Sequence, residues 1–202
     1  MISTPYRLTP DKHADMHTRS GVPVYLGDPW RTAILAKDLR AHASGLSRYN
    51  GAPRVTVLQH SVLVAMLAEA AGEVPYIVAQ CAAHDLAEAV PLGEVVSGLK
   101  RRLPEYQEFE HAWEPRIRAA VGLPEVMPLD VKTRIKVYDK RALLVELWWH
   151  NHPARLIKTD HQPTARERRI GWQVFGPLIG CTPVLWWRMT RWLPKLQEVG
   201  PL

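Results

Sequence analysis

The residues of this chain best suited to chemistry are an adjacent histidine and aspartate, His84 and Asp85, in the stretch AAHDLAEAV. A further carboxylate, Glu88, follows four residues after His84 and three after Asp85, which predicts one shared helical face. Their neighbours are Ala, Leu and Val, and charge in apolar surroundings is costly unless it is paired or bound to metal. The stretch therefore predicts partners for these side chains elsewhere in the chain.

Two more polar residues lie within apolar helical segments and can supply such partners. His60 lies in VTVLQHSVLVAMLA and Asp139 in RIKVYDKRALLVELWW. Taken singly, His60 fits a hydrogen-bonded core histidine, and Asp139 fits an ion pair with a neighbouring basic residue. With His84 and Asp85 they make two imidazoles and two carboxylates from three helices, a mixed set that suits Mn, Co, Zn, Fe or Mg. We therefore predict one divalent metal ion, with coordination positions left for water or substrate.

Apolar residues recur at helical spacing through most of the chain and predict the elements that position these side chains. The predicted helices are 31–47, 57–70, 75–90, 105–121, 128–149 and 182–196. Residues 1–30 are rich in Pro, Gly and polar residues and predict an irregular arm, whereas the polar, His-rich residues 150–170 predict a loop. Residues 182–202 form a Trp-rich C-terminal extension. Period-2 alternation is almost absent, so we expect an all-α single domain over residues 1–202.

Composition limits the location that we expect for this protein and the kinds of partner that it can bind. The 202 residues are 47% hydrophobic, enough for the core of one domain. Two cysteines, no signal-peptide pattern and no apolar run of about 20 residues predict a cytoplasmic protein without a membrane partner. The net charge of +6 favours anionic partners. The basic residues are dispersed and form no recognised binding motif, which argues against nucleic acid. The Trp-rich extension fits core packing or a subunit interface, and we expect a homo-oligomer.

The ordered segments around these residues resemble the HD-domain metal-dependent phosphohydrolases. The similarity is greatest to the compact bacterial and phage branch of 5′-deoxynucleotidases and deoxynucleoside triphosphohydrolases, including enzymes that act on dATP. TRSG and LSRYNG resemble the region before that branch's first metal helix, TVLQHSVLVA the first metal helix, HDLAEA…LGEVVSGLK the second, and VKTRIKVYDKRALLVE the last. The resemblance covers about residues 18–146. It implies a compact HD-domain helical bundle in the cytoplasm of a bacterium or a phage-infected host cell.

The resemblance also implies roles for the metal site. His60, His84, Asp85 and Asp139 would hold the ion. Glu88 would be the catalytic residue that orients or deprotonates the attacking water, because a metal hydrolase needs a positioned base as well as the ion. A second Mg could bind together with the substrate phosphates.

The same resemblance implies a substrate-binding set. Arg48, Lys100 and Lys136 match phosphate-binding positions of the family, and Tyr49 matches an aromatic residue that contacts the sugar or base. An aromatic ring packed against C2′ leaves no room for a 2′-hydroxyl group and favours deoxyribose. Glu94 stands one residue later than the family's usual acid and is longer than the usual Asp, which leaves its role open.

The implied function is metal-dependent hydrolysis of deoxynucleotides. Either a dNTP (dATP-type) triphosphohydrolase or a 5′-deoxynucleotidase acting on dNMP would use the same residues, so the bond that breaks and the base preference stay open. The alternative is a regulatory HD module that binds nucleotides and turns over slowly. Degenerate modules of that kind usually lose a ligand or the acid, and this sequence retains the complete set.

Overall fold

A computed structural model describes residues 13–51, 54–151, 162–176 and 182–197, most of which are helical. The helices are α1 Ala36–Gly45, α2 Val57–Ala70, α3 Pro75–Ala83, α4 Ser97–Lys100, α5 Pro104–Ala120, α6 Leu129–Trp149, α7 Ala165–Phe175 and α8 Thr182–Trp192. The one sheet in these ranges is a two-residue antiparallel pair, β1 Met16–His17 and β2 Pro23–Val24. The predicted all-α class is confirmed. A single domain over residues 1–202 stays a prediction.

Helix α2 is the centre of the bundle. It begins with a capping box in which the Thr56 hydroxyl accepts a hydrogen bond from the Gln59 amide and the Gln59 side-chain oxygen accepts one from the Thr56 amide. Its residues are aliphatic on nearly every side, and such a helix is stable only when surrounded. Helices α1, α3, α6, α7 and α8 pack around it. His60 therefore lies in the fully buried centre of the molecule.

The predicted helix 75–90 is interrupted within the segment that carries the His-Asp pair. Helix α3 ends at Ala83, and His84 and Asp85 form a turn before the chain becomes helical again. A wide turn then closes through a hydrogen bond from the Gly93 amide to the Glu88 carbonyl. The residue before a proline avoids helical dihedrals, and Val90, which precedes Pro91, is extended. The irregular backbone directs His84 and Asp85 towards His60 of α2.

Helices α5 and α6 close the bundle on the side of the His-Asp turn. The fully buried Trp113 of α5 donates its indole N–H to the carbonyl of Leu26, which anchors the β1–β2 hairpin. The predicted irregular arm is thus partly ordered, because residues 13–30 contain that hairpin and the short helical turn Pro29–Arg31. Residues 1–12 lie outside the described ranges.

The predicted loop at 150–170 is wrong at its end. Helix α7 begins at Ala165, after a Thr164–Glu167 capping box, and buries Ile170 and Val174 against the core. Four charged residues near the start of α7 make this segment polar in composition, so the sequence pattern did not indicate the apolar stripe. Residues 152–161 fall outside the described part.

The predicted helix 182–196 is α8 followed by the turn Pro194–Gln197, because a proline ends helical hydrogen bonding. No helix in the described ranges is long and apolar enough to cross a bilayer.

Candidate metal centre and adjoining cavity

Three side chains from three parts of the fold meet at one point. His60 comes from α2, His84 from the turn after α3, and Asp139 from the middle of α6. One ligand atom from each lies within 4.8 Å of the others. The Nε2 atom of His60 is 3.2 Å from Nε2 of His84 and 3.2 Å from Oδ1 of Asp139. The sequence predicted these three residues as ligands, and the fold brings them together.

The hydrogen bonds on the far side of each imidazole determine what faces the centre. Nδ1 of His84 lies 2.7 Å from the carbonyl oxygen of Cys81, which can only accept, so this nitrogen carries a hydrogen. Nδ1 of His60 lies 2.6 Å from Oε1 of Glu146 and donates to that carboxylate. In the neutral rings both Nε2 atoms then present lone pairs to each other and to Asp139. Electron-rich atoms at 3.2 Å repel unless a proton or a metal cation lies between them.

The spacing of these atoms matches that of ligands around a metal ion. Ligands about 2.1 Å from an ion are about 3.0 Å apart in octahedral and about 3.4 Å apart in tetrahedral geometry. The observed 3.2 Å separations fall between these values. The three residues can therefore hold a metal ion. Two nitrogens and one carboxylate oxygen suit several divalent ions and select none of them.

Asp85, the fourth predicted ligand, lies beside this cluster and has a second partner. Its Oδ2 atom is 3.3 Å from Nε2 of both His60 and His84, and it accepts a 2.8 Å hydrogen bond from Nη1 of Arg48. Burial opposes ionisation of Asp85, but His84 and Arg48 hold the pKa of this carboxyl well below its ordinary value. Asp85 is therefore an anion within reach of the centre, held in place by Arg48.

The ionisation of the cluster shows that it favours positive charge. Burial opposes protonation of the His60 ring, yet the Glu146 carboxylate outweighs it and raises the pKa of His60 to about 9. Burial likewise opposes ionisation of Asp139 and Glu146, but the neighbouring histidines lower the pKa of both carboxyls. Three carboxylates surround two imidazoles, and a divalent cation would balance their charge.

Glu88, the predicted catalytic residue, is buried beside the cluster. Burial and the negative charges of Asp85 and Glu94 raise the pKa of the Glu88 carboxyl well above its ordinary value. Its Oε2 atom is buried without a hydrogen-bond partner among the described residues, as is Oε2 of Glu94. Its Oε1 atom accepts a 2.6 Å hydrogen bond from Lys100. Glu88 can thus hold or release a proton close to the cluster.

Lys100 is at the site but is already paired. Its ammonium group bridges Glu88, at 2.6 Å, and Glu110 of α5, at 2.5 Å. Although burial opposes its charge, these two carboxylates raise the pKa of Lys100 and keep it protonated. The geometry fits a lysine that positions Glu88, and a substrate phosphate would have to compete for it. Its predicted phosphate-binding role stays a prediction.

Arg48 and Tyr49 reach the site from the short helical turn Arg48–Gly51 between α1 and α2. The Arg48 amide donates to the carbonyl of Val55, and Tyr49 adopts a left-handed backbone conformation, with φ of 54°. Arg48 then points to Asp85, while the Tyr49 hydroxyl donates to Oε2 of Glu146 at 2.5 Å. The guanidinium carbon lies 5.2 Å from the centre of the Tyr49 ring.

A polar cavity of about 430 Å³ opens beside His84, Asp85 and Glu88. This volume lies within the usual range for small-molecule sites, about 300–1,000 Å³. Its outer wall contains Lys136 of α6 and Arg101, and neither makes an ion pair with another described residue. A second cavity of about 400 Å³ lies on the outer face of α1 and contains none of the cluster residues. The cavity beside the cluster is therefore the candidate substrate site.

Sequence reasoning missed three residues of this site. Glu146 binds His60, Glu110 binds Lys100, and Arg101 lines the cavity. A signal for Glu146 was available, since it is a lone acid among apolar residues seven positions after Asp139, on the same face of α6. Glu110 and Arg101 resemble ordinary surface charges in the sequence. Comparison with protein-family models and with curated proteins finds no match to this chain.

Proposed function

We propose that this protein is a metal-dependent hydrolase of deoxynucleoside phosphates. One observation carries the proposal: the Nε2 atom of His60 lies 3.2 Å from both Nε2 of His84 and the Asp139 carboxylate, beside a polar cavity. Such a mixed nitrogen and oxygen set is common in hydrolytic metal enzymes and leaves positions for water and substrate. The HD-type order of His60, His84-Asp85 and Asp139 supports the same activity. A cytoplasmic location fits an enzyme that acts on deoxynucleotides.

His60, His84 and Asp139 would hold the ion, and Asp85 would complete the set. A divalent ion bound there would polarise a phosphoryl oxygen and lower the pKa of water. The ring N–H groups are already committed to Glu146 and to the Cys81 carbonyl. The ligands therefore do not need to reorient to bind the ion, and such outer hydrogen bonds also increase ligand basicity.

Glu88 would be the group that moves a proton. Its pKa is raised above the ordinary value of a carboxyl group, which is the direction that general acid–base catalysis requires. Lys100 fixes one oxygen of this carboxyl group and leaves Oε2 for water or substrate. Lys100 would thus position Glu88, and Glu110 would hold Lys100.

The cavity suits an anionic substrate. Lys136 and Arg101 are cations on its outer wall that make no ion pair with other described side chains, so they can bind phosphate without breaking one. Arg48 would contribute from the inner side while keeping Asp85 oriented. A second Mg would enter with the phosphate groups, since three suitable ligands converge only at His60, His84 and Asp139 in the ranges described. Mono- and triphosphates remain alternatives.

The test is a substrate and metal panel. Purified protein, stripped with chelator and reloaded with Mn, Co, Mg or Zn, is incubated with each dNMP and dNTP, and phosphate is measured separately from triphosphate. We expect metal-dependent release of one of these products. Tight nucleotide binding without turnover in every combination would favour the regulatory alternative, and full activity without metal would overturn the proposal.

Variants of the cluster provide the control. His84→Ala and Asp139→Ala should lose bound metal and turnover together, because each removes a converging ligand. His17→Ala changes an exposed histidine of β1 and should keep both. Metal content measured by elemental analysis separates loss of the ion from loss of chemistry.

A further inference from the structure

Glu146 is the most deeply enclosed carboxylate of the site, with none of its surface exposed. Oε1 accepts the hydrogen of His60 Nδ1 at 2.6 Å, and Oε2 accepts the hydroxyl hydrogen of Tyr49 at 2.5 Å. One carboxylate thus joins a residue of the metal cluster to an aromatic residue on the turn that precedes α2. The three groups form one continuous chain of hydrogen bonds.

We propose that Glu146 is a positioning residue that holds His60 and Tyr49 together, so that metal affinity depends on the Tyr49 hydroxyl group. The inference rests on the proposed metal site but not on hydrolysis. Tyr49 makes no hydrogen bond to His84 or Asp139 among the described residues, and the hydrogen bonds from Tyr49 to Glu146 and from His60 to Glu146 are the route by which we expect it to act on the ion.

The hydrogen bonds require this dependence. A buried carboxylate is stable only when donors satisfy its oxygens, and Glu146 has one strong donor on each. Its negative charge keeps the hydrogen of His60 on Nδ1 and directs the Nε2 lone pair to the cluster. Without the Tyr49 hydroxyl group, Oε2 would be a buried acceptor without that donor, and the carboxylate would shift towards another partner. This shift weakens its hold on His60.

The backbone of Tyr49 supports the same conclusion. A φ of 54° is uncommon for a residue other than glycine and is sustained only when surrounding contacts determine it. The hydroxyl group at the end of the Tyr49 side chain provides such a contact, because it donates a hydrogen bond to Glu146. Binding free energies are reciprocal, so a group that strengthens metal binding is itself held more firmly when metal is bound. The Tyr49 ring is therefore better fixed in the metal-loaded protein.

The experiment measures metal affinity on the stripped full chain, without any substrate. Titration calorimetry with Zn, and the visible absorption of bound Co, are compared for wild type, Glu146→Gln and Tyr49→Phe. We expect Glu146→Gln to weaken metal binding by about 10- to 100-fold, as loss of a ligand's outer partner does. Tyr49→Phe should weaken it less, in the same direction, and shift the Co absorption.

A matched pair of controls exists in a second tyrosine and carboxylate. The Tyr138 hydroxyl donates to Glu73 at 2.8 Å, the same chemistry in a pair that makes no hydrogen bond to His60, His84 or Asp139 among the described residues. Tyr138→Phe and Glu73→Gln should leave metal affinity and the Co spectrum unchanged. Because Tyr49 acts through Glu146, the double variant Tyr49→Phe with Glu146→Gln should bind metal as weakly as Glu146→Gln alone.

Three outcomes are distinct. Wild-type metal affinity in Tyr49→Phe, or additive losses in the double variant, would overturn the inference. Tyr49→Phe keeps the ring and its packing, so the test stands even where Glu146→Gln does not fold. A wild type that binds metal and hydrolyses nothing would overturn the proposed function alone.

Discussion

Glu88 lies next to two other carboxyl groups, and burial and their negative charge raise the pKa of its carboxyl group above the ordinary value although Lys100 opposes this shift. Glu88→Gln keeps the shape and the contact to Lys100 but cannot exchange a proton. We expect kcat to fall by about 10²- to 10⁴-fold while metal remains bound, the usual effect of losing a general acid–base group. Steady-state kinetics with elemental analysis checks this. A change confined to KM would make Glu88 a binding residue instead.

The Tyr49 ring is held in place, because Glu146 binds its hydroxyl group and Arg48 lies near its face, and its contact with the sugar stays a prediction. We expect the wild type to prefer deoxyribonucleotides over ribonucleotides by tenfold or more in kcat/KM, since overpacking by one group costs about 1–3 kcal/mol. Tyr49→Ala should relax this preference, and Tyr49→Phe, which keeps the ring, should retain it. Arg48→Ala should weaken all substrates alike. Equal kcat/KM for ATP and dATP, and for AMP and dAMP, in the wild type would contradict the role of Tyr49.

Single residues were predictable where the sequence makes them conspicuous. His60, His84 and Asp139 stand out because they are polar in apolar helices, and the fold brings them together. The pairing of Lys100 with Glu110 was not predictable, because it depends on how α4 packs against α5. The same holds for Arg48, whose pairing with Asp85 spans 37 positions.

At the scale of elements, α6 and α7 approach each other closely at Gly171. A Cβ atom at this position would lie 2.7 Å from Cγ1 of Val145, inside any normal contact. Gly171→Ala should therefore lower the free energy of unfolding by about 1–3 kcal/mol, as overpacking does. Urea unfolding followed by circular dichroism measures this change.

Gly45, the last residue of α1, provides the matched control. A Cβ atom there meets nothing within 4 Å, so Gly45→Ala should be neutral or stabilising by up to about 1 kcal/mol. In the double variant Gly171→Ala with Val145→Ala, the free energy of unfolding should fall by less than the sum of the falls in the two single variants. The smaller alanine side chain at position 145 leaves room for the new methyl group at position 171. Equal stability of Gly171→Ala and wild type would mean that α7 packs differently.

Helix α7 also carries a capping box whose strength depends on pH. Burial alone would raise the pKa of Glu167, but hydrogen bonds from Thr164 and the ion pair with Arg141 lower it below its ordinary 4.5. A lowered pKa means that this stabilisation is present above pH 4.5 and is lost as pH falls below it. Glu167→Gln should be less stable by about 1 kcal/mol at pH 7, and the difference should shrink in acid.

Chemical unfolding at a series of pH values measures that difference. Glu108→Gln, in the exposed middle of α5, is the control, since Glu108 makes no hydrogen bond or ion pair with the described residues. The free energy of unfolding of this control variant should stay within about 0.5 kcal/mol of the wild-type value at every pH. If the free energy of unfolding of Glu167→Gln stays below that of wild type by the same amount at low pH, the charge-dependent role of Glu167 is contradicted.

Element type was predictable from periodicity, but the functional irregularities were not. Helix α2 matches its predicted bounds of 57–70, because a capping box starts it and a glycine follows its end. The turn at His84 and Asp85 interrupts a segment with helical spacing, so the pattern favoured one continuous helix. Helix α7 was missed because its apolar stripe is narrow and its charged face dominates the composition.

At the scale of the whole molecule, the exposed tryptophans suit the expected homo-oligomer. Trp172 and Trp187, on α7 and α8, are 49% and 61% exposed. Association between copies stays a prediction that sedimentation can check. Which helices surround α2 could not be predicted, because that depends on contacts between residues far apart in the sequence.

The residues that could hold a metal ion come from α2, α6 and the turn after α3, so a bound ion would connect parts of the chain that are 24 to 79 positions apart. A ligand that binds only the folded protein stabilises it, by about 2.7 kcal/mol at 100 times its Kd. For a chain of this length, that corresponds to a rise in Tm of about 5–10 °C. We expect Mn, Co, Zn or Mg to raise the Tm of stripped protein in this way, and chelator to reverse the rise. Differential scanning calorimetry measures it. His84→Ala should show no rise, and His17→Ala should show the full one. An unchanged wild-type Tm at saturating concentrations of all four ions would contradict the metal site.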